Sequence, residues 1–140
     1  MLAVFVLASS LLVNTGPTVA AMGCSGADPA ITSAAVTSTK QEGGLNAISV
    51  GITVQNRGTQ GQASDVLQSV LVYQNDVKID RKGIPPLRPG RSYTATYTFR
   101  RSTEANAGTT NLRFHLVMAK PVPPGNEDCD LTNDSYRLKV

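Results

Sequence analysis

The sequence has no tryptophan, a single histidine (His115) and two cysteines, Cys24 and Cys129. A lone histidine has no second imidazole with which to share a metal, and no base stands in an evident spacing from a serine or threonine nucleophile. The chain also lacks the clustered basic face and aromatic platforms of nucleic-acid-binding proteins, and we interpret its net charge of +3 as favouring solubility. We therefore expect no catalytic residues, no cofactor, no metal and no nucleic-acid partner.

Positive charge is missing from the amino-terminal part of the chain, where the first basic residue is Lys40. Residues 2–13 are apolar except for two serines, and this run is too short to cross a bilayer, which takes about 20 residues. Turn-forming and small residues follow up to position 23. This order predicts a signal peptide at 1–23, although the usual positive leader is absent, and a mature domain at 24–140. The alternative is that the apolar run is a buried strand or helix.

Alternation of apolar and polar residues with period two recurs along the mature chain, and helical periodicity is almost absent. The alternation is clearest at 47–55, where the apolar members are Ile48, Val50, Ile52 and Val54. Further strands are expected at 66–74, 77–80, 92–99, 112–118 and 136–140, with a weak first strand at 31–36. Seven short strands in about 100 residues predict an all-β, immunoglobulin-like (fibronectin-type-III-like) β-sandwich.

Turn residues separate these strands. Asn56-Arg57-Gly58 follows the strand at 47–55, because asparagine and glycine readily take positive φ. Asn75-Asp76 is expected to form a tight turn, and Pro89-Gly90 fits the central positions of a type II turn.

Four short motifs, in their order along the chain, resemble those of the CARDB domain, the cell-adhesion-related domain found in bacteria. They are VQNRG at 54–58, LVY at 71–73, LRPG at 87–90 and ND at 133–134. The likeness covers 28–140. It departs from the family in the turn at 74–77, where an Asp-Gly is usual. It departs again at 127–134, which carries Cys129 and has an aspartate in place of the second family asparagine.

The resemblance implies an extracellular sandwich with no shared catalytic residues, often repeated in large surface proteins and used for adhesion or spacing. It places this chain in a bacterial periplasm or outside the cell. The CARDB-like segment stands here as a single copy, which weakens the interpretation as a spacer.

The two cysteines lie where an immunoglobulin-type order brings the chain together. Cys24 precedes the first strand and Cys129 lies in the loop before the last strand, at the same end of the sandwich. Export places them where disulfides persist, so we predict a Cys24–Cys129 disulfide. One alternative is lipidation of Cys24, for which residues 21–24 form a poor lipobox, and only this would involve a membrane. The other is two free thiols.

Two groups of residues could have served other chemistry. Glu127, Asp128, Asp130 and Asp134 could supply oxygens to calcium, but their spacing fits no EF-hand loop, and we expect a solvated turn. His115 lies on an outward strand face and is expected to be a surface histidine.

The function that the sequence favours is an exported, non-catalytic binding or adhesion-type module. It would contact a protein or glycan through the polar loops at 56–65 and 121–134, expected at one end of the sandwich. The alternative is a structural component of a cell-envelope assembly, either lipid-anchored through Cys24 or paired with a partner through the charged last strand.

Overall fold

The computed structural model describes residues 24–104 and 107–140, so the predicted signal peptide at 1–23 lies outside the described residues. Within these ranges the chain forms seven strands and a 3-10 turn, with no helix long and apolar enough to cross a membrane. The strands are β1 (Pro29–Glu42), β2 (Leu45–Asn56), β3 (Gln68–Gln74), β4 (Val77–Ile84), β5 (Ser92–Ser102), β6 (Asn111–Met118) and β7 (Ser135–Lys139). The 3-10 turn is Leu131–Asn133.

The strands form two sheets, and every pairing is antiparallel. One sheet has the order β1-β2-β5, and the other has the order β4-β3-β6-β7. The predicted seven-stranded immunoglobulin-like sandwich is confirmed. β4 pairs with β3 in the larger sheet, which is the fibronectin-type-III form of this architecture.

The core lies between the sheets and follows the expected alternation. On β2 the side chains of Ile48, Val50, Ile52 and Val54 are all buried. They meet inward residues of the other strands, chiefly Val70, Val72, Ala95, Tyr97, Phe99, Leu112, Phe114 and Leu116. Tyr93 was expected to face the core, but 41% of it is exposed because it lies near the start of β5, beyond the covering strands.

Two of the expected turns form as the sequence indicates. Asn75 and Asp76 have φ angles of 48° and 66°, so the β3–β4 hairpin has the backbone of a type I′ turn. Gly90 has a φ of 74°, and the amide of Arg91 donates to the carbonyl oxygen of Arg88 at 3.0 Å, which closes the turn before β5.

Two strands are longer than predicted. β1 runs from Pro29 to Glu42 and not only over 31–36, and register shifts between Ile31 and Ser33 and between Val36 and Ser38 interrupt its alternation. β4 extends to Ile84, past the predicted end at 80, and only that last residue is buried. Bulges and exposure on both faces remove the hydrophobic signal by which a strand is recognised.

Candidate functional site

The first described residues, 24–28, here called the leading segment, lie against the β2–β3 loop (residues 57–67). The amides of Thr59 and Gln60 donate to the carbonyl oxygen of Gly26 at 2.8 and 3.1 Å. The amide of Arg57 donates to the carbonyl oxygen of Asp28 at 2.7 Å. These backbone bonds hold the loop against the start of the chain without forming a strand.

Asn56, the last residue of β2, is fully buried and joins three segments through its side chain. Its Oδ1 accepts from the amides of Asp28 and Gly58, both at 3.0 Å. Its Nδ2 donates to the carbonyl oxygens of Gln60 at 2.8 Å and Leu87 at 2.9 Å. All four hydrogen bonds available to the amide group are made, which is the arrangement that a buried polar side chain requires.

The interpretation of Asn56 and Gly58 as positive-φ turn residues is wrong, since neither has a positive φ. Gly58 is needed for close approach. A Cβ at this position would overlap the carbonyl oxygen of Gly26 and come within 2.7 Å of the amide nitrogen of Asp28. Because these are backbone atoms, no side-chain rotation can relieve the overlap.

We expect Gly58→Ala to lower the free energy of unfolding by about 3 kcal/mol, the upper part of the range for forced overpacking, because the leading segment must move away from the β2–β3 loop. Gly83→Ala on β4 is the control, since nothing lies within 4 Å of its Cβ position. Chemical denaturation of both variants measures the difference. Equal stability of the two variants would show that the leading segment does not pack against Gly58.

The β6–β7 loop (residues 119–134) completes this end of the molecule. Cys24 and Cys129 are joined in a disulfide with a Cα–Cα distance of 5.9 Å, and the amide of Cys129 donates to the carbonyl oxygen of Ala27 at 3.1 Å. The amide of Ala63 donates to Oδ1 of Asn126 at 2.7 Å. The leading segment, the β2–β3 loop and the β6–β7 loop are therefore mutually connected, and together they are called the loop end below. The disulfide also uses the Cys24 thiol that lipidation would need.

Acidic side chains collect where the leading segment meets the β6–β7 loop. Nδ2 of Asn133 donates to Oδ1 of Asp28 at 2.9 Å and to Oδ2 of Asp130 at 3.3 Å. The amide of Asp130 donates to Oδ1 of Asp128 at 3.0 Å, and the Asp128 carboxyl is in turn within hydrogen-bonding reach of the Asp134 carboxyl. Asp134 is 5% exposed, so the expectation of a solvated turn is wrong for this residue.

The electrostatics of this cluster follow from burial and crowding. Burial raises the pKa of Asp134 to about 8, and the hydrogen bond to Asp128 and the charges of Asp128, Asp28 and Asp130 raise it further toward that value. Burial also raises the pKa of Asp128, against the opposing effect of its hydrogen bond from Asp130. The Thr132 hydroxyl and amide lower the pKa of Asp130. Asp128 and Asp134 thus form a carboxyl pair that favours holding one proton.

The raised pKa of Asp134 predicts an inverted pH dependence of stability. A carboxyl whose pKa rises from 3.8 in the unfolded chain to about 8 in the fold binds its proton more tightly when folded. Its contribution to the free energy of unfolding is therefore fully present below about pH 4 and is lost as the pH rises toward 8. We expect Asp134→Asn to flatten this decline and to be more stable than the wild type at about pH 8.5.

Denaturation at several pH values measures this slope. Asp65→Asn, which alters an exposed carboxylate of the β2–β3 loop, serves as the control and should keep the wild-type profile. A wild-type stability that is independent of pH between 5 and 8 would contradict the buried, proton-sharing pair.

The described residues contain no group of three or more His, Cys, Asp or Glu side chains that could hold a metal ion. The acidic cluster presents its close carboxyl groups as a pair, and calcium prefers six to eight oxygens. The structure therefore supplies no calcium site of the kind considered from the sequence.

His115 is half-buried on the outward face of β6, and its Nδ1 lies 2.7 Å from Oγ of its cross-strand partner Ser135. Sequence reasoning missed this contact because the register of β6 and β7 brings the two residues together. Within the described residues no acidic side chain is hydrogen-bonded to the ring, so the pair lacks the third group of a catalytic triad. We derive no catalytic step from it.

A cleft of about 440 Å³ opens at the loop end between β6 and the β6–β7 loop. Its apolar lining includes Val117, Met118, Val122 and Leu131, and its acidic lining is Glu127, Asp128 and Asp134. A neighbouring cleft of about 570 Å³ shares Val117 and Met118 and reaches Leu67. Leu67 and Leu131 are 71% and 74% exposed, so the loop end presents apolar side chains as well as charge.

Among solved structures, the chain is similar to the CARDB domain of a protein from Pyrococcus furiosus, which was crystallised in complex with di-metal ions. The TM-score is 0.60 at 16% sequence identity, over 82% of this chain and 87% of that chain. At this identity the match establishes the fold, and it confirms the CARDB-like sandwich that the sequence motifs indicate. No protein-family model matches the chain, and no curated protein matches it.

Proposed function

We propose that this chain is an exported, non-catalytic binding module that contacts a protein partner through its loop end. The observation that carries the proposal is the fixation of three chain segments by the Cys24–Cys129 disulfide and the Asn56 side chain. Loops on a rigid sandwich are common binding surfaces. Loops that are already ordered lose less conformational entropy on binding, and so retain more of the contact energy as affinity.

A protein partner fits this surface better than a glycan. Sugar rings are usually bound against aromatic faces, whereas the exposed large side chains at the loop end are Leu67 and Leu131. Exposed leucines beside two clefts suit the side chains of a polypeptide. This choice narrows the protein-or-glycan expectation of the sequence to a protein.

The di-metal ions of the Pyrococcus domain suggest a comparison with the acidic cluster. In the part of this chain that the structure describes, the cluster does not assemble three metal-ligating side chains. The proposed function therefore depends on the surface of the loop end and includes no metal-dependent step.

Site-specific photo-cross-linking in the native host tests the proposal. A photoreactive amino acid replaces Leu67 or Leu131 at the loop end, and Val77, which is 64% exposed at the β3–β4 turn, is the matched control at the opposite end. We expect one discrete protein adduct from positions 67 and 131 and none from position 77.

The same experiment separates the alternative. Adducts from position 77, or from Arg137 on the edge strand β7 and not from the loop end, would contradict the proposal. An adduct at β7 alone would favour a structural component that pairs through its sheet edge.

A further inference from the structure

The cleft beside β6 has two chemically different parts. One wall is apolar and includes Val117, Val122 and Leu131. The other carries Asp128 and Asp134, with Glu127 at the rim. A ligand that fills this cleft needs an aliphatic portion and a group that donates hydrogen bonds to carboxylates.

The acidic part has acceptors to spare. Oδ1 of Asp134 is buried and has no hydrogen-bond partner among the described residues, and the same is true of Oδ1 of Asn133. Buried polar atoms without a partner are rare in folded proteins, and those that remain commonly face a bound group. Asp134 is itself 95% inaccessible, since its exposed fraction is 5%.

Negative charge is concentrated at this end although the whole chain is basic. Five of the ten acidic residues belong to the leading segment and the β6–β7 loop, namely Asp28, Glu127, Asp128, Asp130 and Asp134. Lys120 is the one basic side chain among the cleft-lining residues and is exposed to solvent, and Arg57 faces Asp130 from the β2–β3 loop. The field in the cleft therefore favours a cation.

We propose that this cleft receives a lysine or arginine side chain of the protein partner, with its aliphatic stem along Val122 and Leu131 and its charged head against Asp128 and Asp134. The inference rests on the proposed function and names the partner chemistry at the same site. The ammonium or guanidinium group supplies the donors that Oδ1 of Asp134 lacks. The apolar wall distinguishes this occupant from a small hydrated ion, which would leave the aliphatic part of the cleft unfilled.

The carboxyl pair adds a consequence for proton release. When a cation binds, both carboxyls of the pair become stable as anions, so the proton they share is displaced. The other titratable groups that face the pair are Asp28 on the leading segment, Asp130 on the same loop, and His115 and Lys120 at the rim. We expect binding of a basic side chain to tighten as the pH rises from about 6 to about 8.

The test is an NMR titration of the purified, isotope-labelled protein, with its disulfide intact, using three capped tripeptides. Each has valine at both flanks, and the central residue is lysine, arginine or norleucine. We expect the lysine and arginine peptides to shift the amide resonances of Val117, Leu131 and Asp134. The norleucine peptide, which keeps the stem and lacks the charge, should bind at least about tenfold more weakly.

Two variants locate the site. Asp128→Asn combined with Asp134→Asn should weaken the lysine peptide by at least about tenfold, because it removes both carboxylates. Asp76→Asn, at an exposed acid of the β3–β4 turn, should leave binding unchanged. The comparison of lysine with norleucine on the wild-type protein stands even if the double variant does not fold.

Three results would overturn the inference. They are equal binding of norleucine and lysine, absence of binding by either basic peptide, and capture of these amide shifts by calcium chloride alone with no response to the peptides. In each case loop-end cross-links from positions 67 and 131 would leave the proposed function standing, so the two failures are distinguishable.

Discussion

Replacing Asn56 by alanine is expected to lower the free energy of unfolding by at least about 3 kcal/mol. The side chain is fully buried and makes four hydrogen bonds, to the leading segment, the β2–β3 loop and the β4–β5 connection. Removing it leaves two amides and two carbonyl oxygens without partners, and each such group costs about 1–3 kcal/mol when water cannot replace the lost bond. For a domain whose total stability is about 5–15 kcal/mol, this is a large fraction.

Chemical denaturation of the oxidised protein measures the effect. Asn111→Ala is the control, because Asn111 is exposed on β6 and its side chain makes no hydrogen bond within the described residues, so a change below about 0.5 kcal/mol is expected. Asn56→Asp keeps the volume and the Oδ1 acceptor but turns the Nδ2 donor toward Gln60 and Leu87 into an acceptor. It should be as damaging as alanine, and a neutral Asn56→Asp would contradict the hydrogen-bond assignment.

The disulfide is expected to have the next effect of this size. It links residues 105 positions apart, and in the chain-entropy model a loop of this length stabilises the fold by roughly 4–5 kcal/mol. The double variant Cys24→Ser, Cys129→Ser should lose that amount, and the wild type under reducing conditions should lose it as well. Because the two ends are also joined by the Cys129 to Ala27 hydrogen bond, the sheets should remain folded while the β6–β7 loop loosens first.

Intact mass of the exported protein, with and without reduction and alkylation, accompanies this measurement. A chain that begins at Cys24 and is lighter than its thiol form by two hydrogen atoms is the expected species. Acyl chains on Cys24, or two alkylated thiols without prior reduction, would contradict both the pairing and its stability effect.

The strands and the core could be predicted from the sequence because both depend on local alternation. The β2 and β6 alternations placed Ile52 and Phe114 in the core, where both are fully buried. The β1 strand was underestimated because two register shifts break the period-two pattern, and because most of its residues beyond Val36 are exposed. β4 was cut short because its hydrogen bonds to β3 hold it in the sheet without an apolar face.

The site could be predicted only in part. The order of strands in an immunoglobulin-like sandwich was enough to bring Cys24 toward Cys129, since the chain ends that carry them share one end of the fold. The part played by Asn56 could not be seen, because its partners Asp28 and Leu87 are 28 and 31 positions away. The burial of Asp134 arises in the same way, from packing of the β6–β7 loop on the leading segment.

The loop end therefore has the properties of a preformed contact surface. Its backbone bonds, its disulfide and the Asn56 side chain order three segments before any partner arrives, and the cleft beside β6 offers both apolar and acidic lining. The opposite end lacks such cross-connections in the described residues, apart from the hairpin turn at Asn75-Asp76 and contacts near Thr103 and Thr110.

Hydrogen–deuterium exchange of the oxidised protein tests this preformed surface most directly. The amides of Thr59, Gln60 and Ala63 lie in a loop yet donate to Gly26 and Asn126, so we expect protection approaching that of the strands. The amides of Gly108 and Thr109, exposed between β5 and β6, should exchange at the rates of an open chain. If Thr59, Gln60 and Ala63 exchange as fast as Gly108, the loop end is not ordered in the free protein and the account of a preformed binding surface is wrong.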